Sequence, residues 1–145
     1  RLATAESCTG GLIGKRITDV SGASGVFDCG IISYSNEIKN KILGVSEDDL
    51  KKYGAVSEQV AGQMAQGVLK LSGADIAVSV TGIAGPGSDG TDKPVGLSYI
   101  GLATKDGVQV KKLMTGRNDR DYNRYVNASN ALNMVRMYLR GESNG

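Results

Sequence analysis

The stretch Glu6-Ser7-Cys8-Thr9-Gly10-Gly11 sets two nucleophile types beside two glycines, directly after an apolar run. A strand entering a tight turn there, with a helix behind it, aims a serine hydroxyl at backbone N–H groups that have no helical acceptor. The N–H groups of Cys8, Thr9, Gly10 and Gly11 are then candidate oxyanion donors. Glycine also lets a substrate come close to the backbone. The same residues fit a plain helix cap by Ser7 or Thr9, and taken alone that is the commoner arrangement. Cys8 is a rival nucleophile that needs some other group to make it a thiolate.

Composition limits what can activate such a nucleophile. The chain has no histidine, which removes Ser-His-Asp and Cys-His catalysis and the commonest transition-metal ligand. The base must be a lysine, a tyrosine, a carboxylate or water. Tyr34-Ser35-Asn36-Glu37-Ile38-Lys39 offers the first two. A lysine on the first turn of a short helix can reach back over a sheet end, and burial can depress its pKa until the amine is a general base. A tyrosine hydroxyl can relay the proton or orient the amine. Ser-Lys pairing is a known route to activation without histidine. A solvated surface role fits Lys39 too, as it fits most lysines. Lys41 is the weaker candidate, because two helical positions turn it away.

A third segment is Thr81-Gly82-Ile83-Ala84-Gly85-Pro86-Gly87, whose small residues and free N–H groups suit a phosphate or a flat ring. Gly85, Gly87 and Gly90 have the spacing of a dinucleotide fingerprint. Pro94 and a strand pattern follow them, where that fingerprint must open a helix, so the dinucleotide reading is rejected. Ser88 to Asp92 reads as a surface loop. Arg117, Arg120 and Arg124 gather where the last helix begins, and Arg120 and Arg124 share a face. Cations there oppose the helix dipole. An anionic ligand explains the cluster, and pairing with Asp119 and Asp121 explains it equally well. Asn127-Ala128-Ser129 matches a glycosylation sequon, which carries no meaning in a cytosolic protein.

The elements that must position these residues alternate between strand and helix. Leu2 to Ala5 reads as a strand end. Leu12, Ile13, Ile17 and Val20 recur at helical spacing, and Ser21 to Gly25 breaks that helix. Val26 to Tyr34 has strand content, and a short helix follows through Leu43. Ser46 and Ser57 open two further helices, the second ending at Gly73. Asp75 to Val80 is a strand, and Thr81 to Pro94 a glycine-rich loop. Val95 to Thr104 and Val108 to Met114 form a hairpin around Lys105-Asp106-Gly107. Asp119 to Leu139 is a long amphipathic helix, and Gly141 to Gly145 a disordered tail. This order predicts a three-layer α/β/α sandwich on a mixed, largely parallel sheet. Ligands of such sheets sit at the carboxyl ends of strands, where all three segments fall.

The 145 residues, 40% hydrophobic and 22% charged, suit one domain with a core of its own. A net charge of +2 argues against direct nucleic-acid binding. No apolar run spans a membrane, no signal peptide is visible, and Cys8 and Cys29 form no metal or disulfide framework. The expected setting is cytoplasmic, with reduced thiols and no metal or cofactor. The chain opens Arg1-Leu2-Ala3-Thr4-Ala5 without methionine, so an upstream segment is expected.

Taken in order, Ala5 to Gly11, Tyr34-Ser35-Asn36 with Lys39, Gly54-Ala55-Val56-Ser57, Thr81 to Pro86 and Lys93-Pro94-Val95-Gly96 closely resemble the CinA C-terminal domain family, from about Leu2 to Leu139. The resemblance implies an α/β/α sandwich that hydrolyses the carboxamide of nicotinamide mononucleotide to nicotinate mononucleotide and ammonia. It implies Ser7 as nucleophile, Lys39 as its partner and Tyr34 as the assisting tyrosine. Thr81 and Gly82 match ligand-contacting positions, with Asn36 and Gly85 beside them, and Arg120 matches an arginine near the last helix. The family's leading helix is missing before Leu2. Some members carry a large N-terminal domain, which makes such a domain an expected partner. Relatives associate, so a homo-oligomer is expected, with the hairpin strands offering an edge. A non-catalytic nucleotide-binding or interaction domain acting in competence is the alternative that the resemblance leaves.

Overall fold

In the computed structural model, which describes residues 1–142, β1 (Leu2–Glu6) is the middle strand of three parallel ones. It pairs on one side with β2 (Phe27–Ile32) and on the other with β3 (Ile76–Gly82). An antiparallel hairpin, β4 (Leu97–Thr104) and β5 (Gly107–Met114), completes the sheet in the order β2-β1-β3-β4-β5. Half of the strand pairings are thus parallel and half antiparallel. Burial on both faces explains why β3 has no polar side to show: six of its seven residues are buried.

The helices are α1 (Leu12–Thr18), α2 (Asn36–Leu43), α3 (Glu47–Tyr53), α4 (Glu58–Ser72) and α5 (Arg120–Leu139), with a 3₁₀ turn at Ala23–Gly25. Helices α1 and α5 cover one face, where Ile13, Ala128, Ala131 and Met134 pack on Val78, Val80, Ile100 and Leu102. Helices α2, α3 and α4 cover the other, bringing Leu43, Leu50, Val60, Met64 and Val68 against Ala3, Ala5 and Ala77. The result is the expected three-layer α/β/α sandwich. Four helices start on a side-chain cap. Ser35, Ser46 and Ser57 accept from the N–H groups of Ile38, Asp49 and Val60, and Asp119 accepts from that of Tyr122.

The strands are trimmed at Val26, Tyr34 and Val95 relative to the sequence reading, and three further departures have a physical reason. Val20 lies beyond α1 and is 65% exposed; the Thr18 hydroxyl has turned back onto the carbonyls of Gly14 and Lys15 and the helix stops there. Thr81 and Gly82 continue β3, because β4 runs far enough to pair with both. Gly141 and Glu142 close α5, bonding the carbonyls of Tyr138 and Met137; the rest of the expected tail lies outside the described residues. No described helix is long and apolar enough to cross a membrane.

Candidate active site

The carboxyl ends of β1, β2 and β3 share one edge of the sheet, and α5 begins there too. Ser7 follows β1 directly and continues its pairing, its N–H bonded to Val80 O at 3.0 Å. Lys39 sits on the second turn of α2 and is 1% exposed. Its Nζ stands 2.9 Å from Ser7 Oγ, 2.8 Å from Ser33 O and 3.1 Å from Tyr34 O. Burial pulls its pKa down from 10.5 to about 8, with a smaller opposing push from Cys8. Among the described residues no carboxylate bonds the amine. In the neutral state its two N–H bonds satisfy the two carbonyls, and its lone pair faces the Ser7 hydroxyl. The fold brings together the serine and the lysine that the sequence singled out.

Cys8 is poorly placed to act as the rival nucleophile. It is buried on the α5 side, Asn127 Nδ2 lies 3.6 Å from its sulfur, and burial raises the thiol to about 11. A thiol so placed is not a thiolate near neutral pH.

The turn after Ser7 departs from expectation through a residue that the sequence reading passed over. The buried Glu6 carboxylate accepts from Thr9 Oγ1 at 2.6 Å and from the N–H groups of Gly11 (3.2 Å), Ile13 (2.9 Å) and Gly14 (3.0 Å). It caps α1 from inside the chain. Gly10 N–H bonds Ser7 O at 3.0 Å. Of the four candidate oxyanion donors, Gly10 and Gly11 are therefore spent. Among the described residues no other residue accepts from the N–H of Cys8 or Thr9, the Cys8 N–H lying against its own thiol, and these two remain as candidates. The signal for Glu6 was legible: an acid placed just ahead of a helix start has four orphan donors within reach.

Tyr34 reaches Lys39 through its carbonyl and not its ring. Its hydroxyl, on a residue 60% exposed, accepts from Arg120 Nη2 at 3.2 Å. The direct contact of Lys39 with Ser7 leaves no gap for the tyrosine to bridge. Arg120 also donates to Gly85 O at 2.6 Å, so α5, the β3–β4 loop and the β2–α2 loop meet at Arg120. The other arginines separate by role. Arg117 stacks on Tyr122 at 4.0 Å and lies 3.8 Å from Asp119. Arg124 donates from Nε to Cys8 O at 3.1 Å and from Nη2 to Thr9 O at 2.9 Å.

Two of the positions expected to contact ligand serve the frame. Thr81 donates its hydroxyl to Ala55 O at 2.9 Å and is 1% exposed. A Cβ at Gly82 would stand 2.6 Å from Ser98 Cβ, so β4 demands glycine there. Gly85 has φ +92°, and a Cβ would collide with Val95 and Asn118. Asn36 is exposed on the first turn of α2 and makes no bond to the pair. Buried Asn123, missed in the sequence, ties this loop to α5 by donating to Ala84 O and Arg117 O, both at 2.9 Å. Lys93 ties it to the α3–α4 connection through Val56 O at 2.6 Å and Tyr53 O. Among the described residues no cluster of acids and cysteines could hold a metal.

These features define a class: a three-layer α/β/α protein with a buried serine–lysine pair at the carboxyl end of its first strand. The family model described as CinA C-terminal domain matches residues 1–139, and the chain belongs to that family. It is 50% identical over 142 residues to a "CinA-like protein" of Desulfovibrio desulfuricans, covering 97% of this chain and 33% of that one. The chain thus spans about a third of the length of its longer curated relatives. It is 60% identical over 103 residues to the "Nicotinamide-nucleotide amidohydrolase PncC" of Enterobacter agglomerans, covering 71% of this chain and 63% of that protein. The solved structure of competence damage-inducible protein A (ComA) from Klebsiella pneumoniae superposes with a TM-score of 0.92 at 31% identity, over 97% of this chain and 86% of that one.

Proposed function

We propose that the chain is a nicotinamide-nucleotide amidase, converting nicotinamide mononucleotide to nicotinate mononucleotide and ammonia through an acyl-enzyme on Ser7. The observation that carries this reading is the 2.9 Å contact of Ser7 Oγ with a buried lysine whose pKa falls to about 8. The name of the Enterobacter agglomerans relative supports the substrate.

Neutral Lys39 takes the Ser7 proton as Oγ attacks the carboxamide carbon. The N–H groups of Cys8 and Thr9 receive the oxyanion. The lysine ammonium returns its proton to the departing nitrogen, and ammonia leaves. Water then attacks the ester, Lys39 takes its proton, Ser7 recovers the hydroxyl and the carboxylic acid departs. Arg120, tied to Gly85 O and the Tyr34 hydroxyl, supplies the cation for the substrate phosphate. The chain acts without a cofactor in this scheme, and association with further copies or with an N-terminal domain belongs to the same proposal.

The test is ammonia release from nicotinamide mononucleotide by the unaltered chain and by Ser7→Ala. Release that falls by at least about a thousandfold in the variant is expected, the scale on which a nucleophile is lost. Equal release by both would remove Ser7 from the mechanism. Silence from the unaltered, folded chain would shift the reading to nucleotide binding without cleavage.

A further inference from the structure

Arg124 reaches across from α5, 116 residues along the chain, to the turn behind Ser7. Both of its hydrogen bonds end on main-chain carbonyls of that turn, Cys8 O and Thr9 O. A peptide unit is planar and trans, so its C=O and N–H point in opposite directions. The carbonyl of Cys8 and the N–H of Thr9 belong to one such unit. Holding Cys8 O on the α5 side therefore fixes the Thr9 N–H away from α5. The preceding unit is held separately, because Ser7 O accepts from Gly10 N–H at 3.0 Å, which sets the direction of the Cys8 N–H. Glu6 grips Thr9 by its hydroxyl and α1 by three N–H groups, yet it makes no bond to the Cys8–Thr9 peptide unit. That unit has Arg124 as its only bonded restraint among the described residues. It lies next to a glycine at φ +60°, which gives this turn little resistance of its own.

We infer that Arg124 is a positioning residue that holds the Thr9 N–H in its oxyanion-binding orientation, and that it is not a ligand for the substrate phosphate. The inference rests on the amidase reading. It divides the arginine cluster by chemistry: Arg120 bonds Gly85 O and the exposed Tyr34 hydroxyl, while Arg124 bonds two main-chain carbonyls of the turn behind Ser7. Without Arg124 the Cys8–Thr9 unit loses its one bonded restraint between neighbours that stay held, Ser7 O by Gly10 N–H and Thr9 O by Leu12 N–H, and the transition state loses one of two donors. Loss of one such donor costs about a hundred- to a thousandfold in kcat.

The experiment compares the unaltered chain with Arg124→Ala and Arg124→Lys on nicotinamide mononucleotide and on nicotinamide riboside, which lacks the phosphate. For Arg124→Ala, kcat falls about a hundredfold on both substrates while KM for the mononucleotide changes less than threefold. The pH midpoint near 8 set by Lys39 stays in place, and added guanidinium restores part of kcat. Arg124→Lys, which keeps a donor without the fork, falls between the two, and it decides the matter if Arg124→Ala does not fold. A rise in KM confined to the mononucleotide, with kcat retained, would make Arg124 a phosphate ligand and overturn the inference. So would kinetics equal to those of the unaltered chain. Silence of the unaltered chain on both substrates would instead remove the amidase reading, and the inference with it.

Discussion

Lys39 shows how one residue can be legible as a type and illegible as a state. Its spacing after the β2 strand marked it as a candidate base, but only the fold supplies the burial that brings its pKa to about 8. In the proposed mechanism the neutral amine is the competent form, so turnover should rise with pH and level off above about 8. Lys39→Arg should abolish turnover at every pH, because arginine stays protonated. A profile that is flat from pH 6 to 9 would remove Lys39 as the base. Stability follows the same proton. The folded chain releases it near 8 and the unfolded chain near 10.5, so the unfolded state holds more protons between those values. Stability should rise with pH across that window and be lowest below it. In Lys39→Met the rise should be smaller, read from thermal unfolding at pH 7 and pH 9.5.

At the scale of elements, the turn and α1 form one unit built around Glu6. A strand residue acts here as the cap of the helix that follows, in place of Gly11, which has no side chain to do it. Glu6→Ala leaves three N–H groups and the Thr9 hydroxyl without their acceptor. The expected loss is about 2 kcal/mol or more, from a cap at about 1 and further buried donors left unmade. Denaturant unfolding measures it, and exchange of the α1 amides should speed up before that of β3. Unchanged stability would mean that water replaces the carboxylate without loss. Strand and helix positions were readable because periodicity and serine caps are local signals. The cap of α1 was misread because the sequence shows Ser7 and Thr9 nearer the helix than Glu6, and only the turn brings the carboxylate over it. The division of labour among Arg117, Arg120 and Arg124 was not readable at all. It depends on where α5 meets three loops that are remote in sequence.

At the scale of the whole molecule, the packing of α2 on α4 is expected to set the distance from Lys39 to Ser7. The two helices cross at Gly67, where an added Cβ would stand 2.0 Å from Leu43 O and 2.8 Å from Leu43 C. Leu43 is the last residue of α2, one turn beyond Lys39. Gly67→Ala therefore forces backbone apart from backbone, and no side chain can yield to relieve it. Two effects oppose each other. Alanine in a helix interior gains about 0.5–1 kcal/mol over glycine, while overpacking costs about 1–3 kcal/mol or more. Loss should win at Gly67. The comparison is Gly62→Ala in the same helix, where a Cβ would meet only the Val108 and Val110 methyls at 3.4 and 3.5 Å. There the gain should win, or the change should be neutral. Activity should separate the two variants more sharply than stability does. A shift of α2 by a few tenths of an ångström lengthens the contact between Lys39 and Ser7, whereas the Gly62 contact faces β5 at the far edge of the sheet. Thermal unfolding and kcat of both variants test this, and a Gly67→Ala chain as stable and as active as Gly62→Ala would show that the α2–α4 crossing does not set the geometry of the pair.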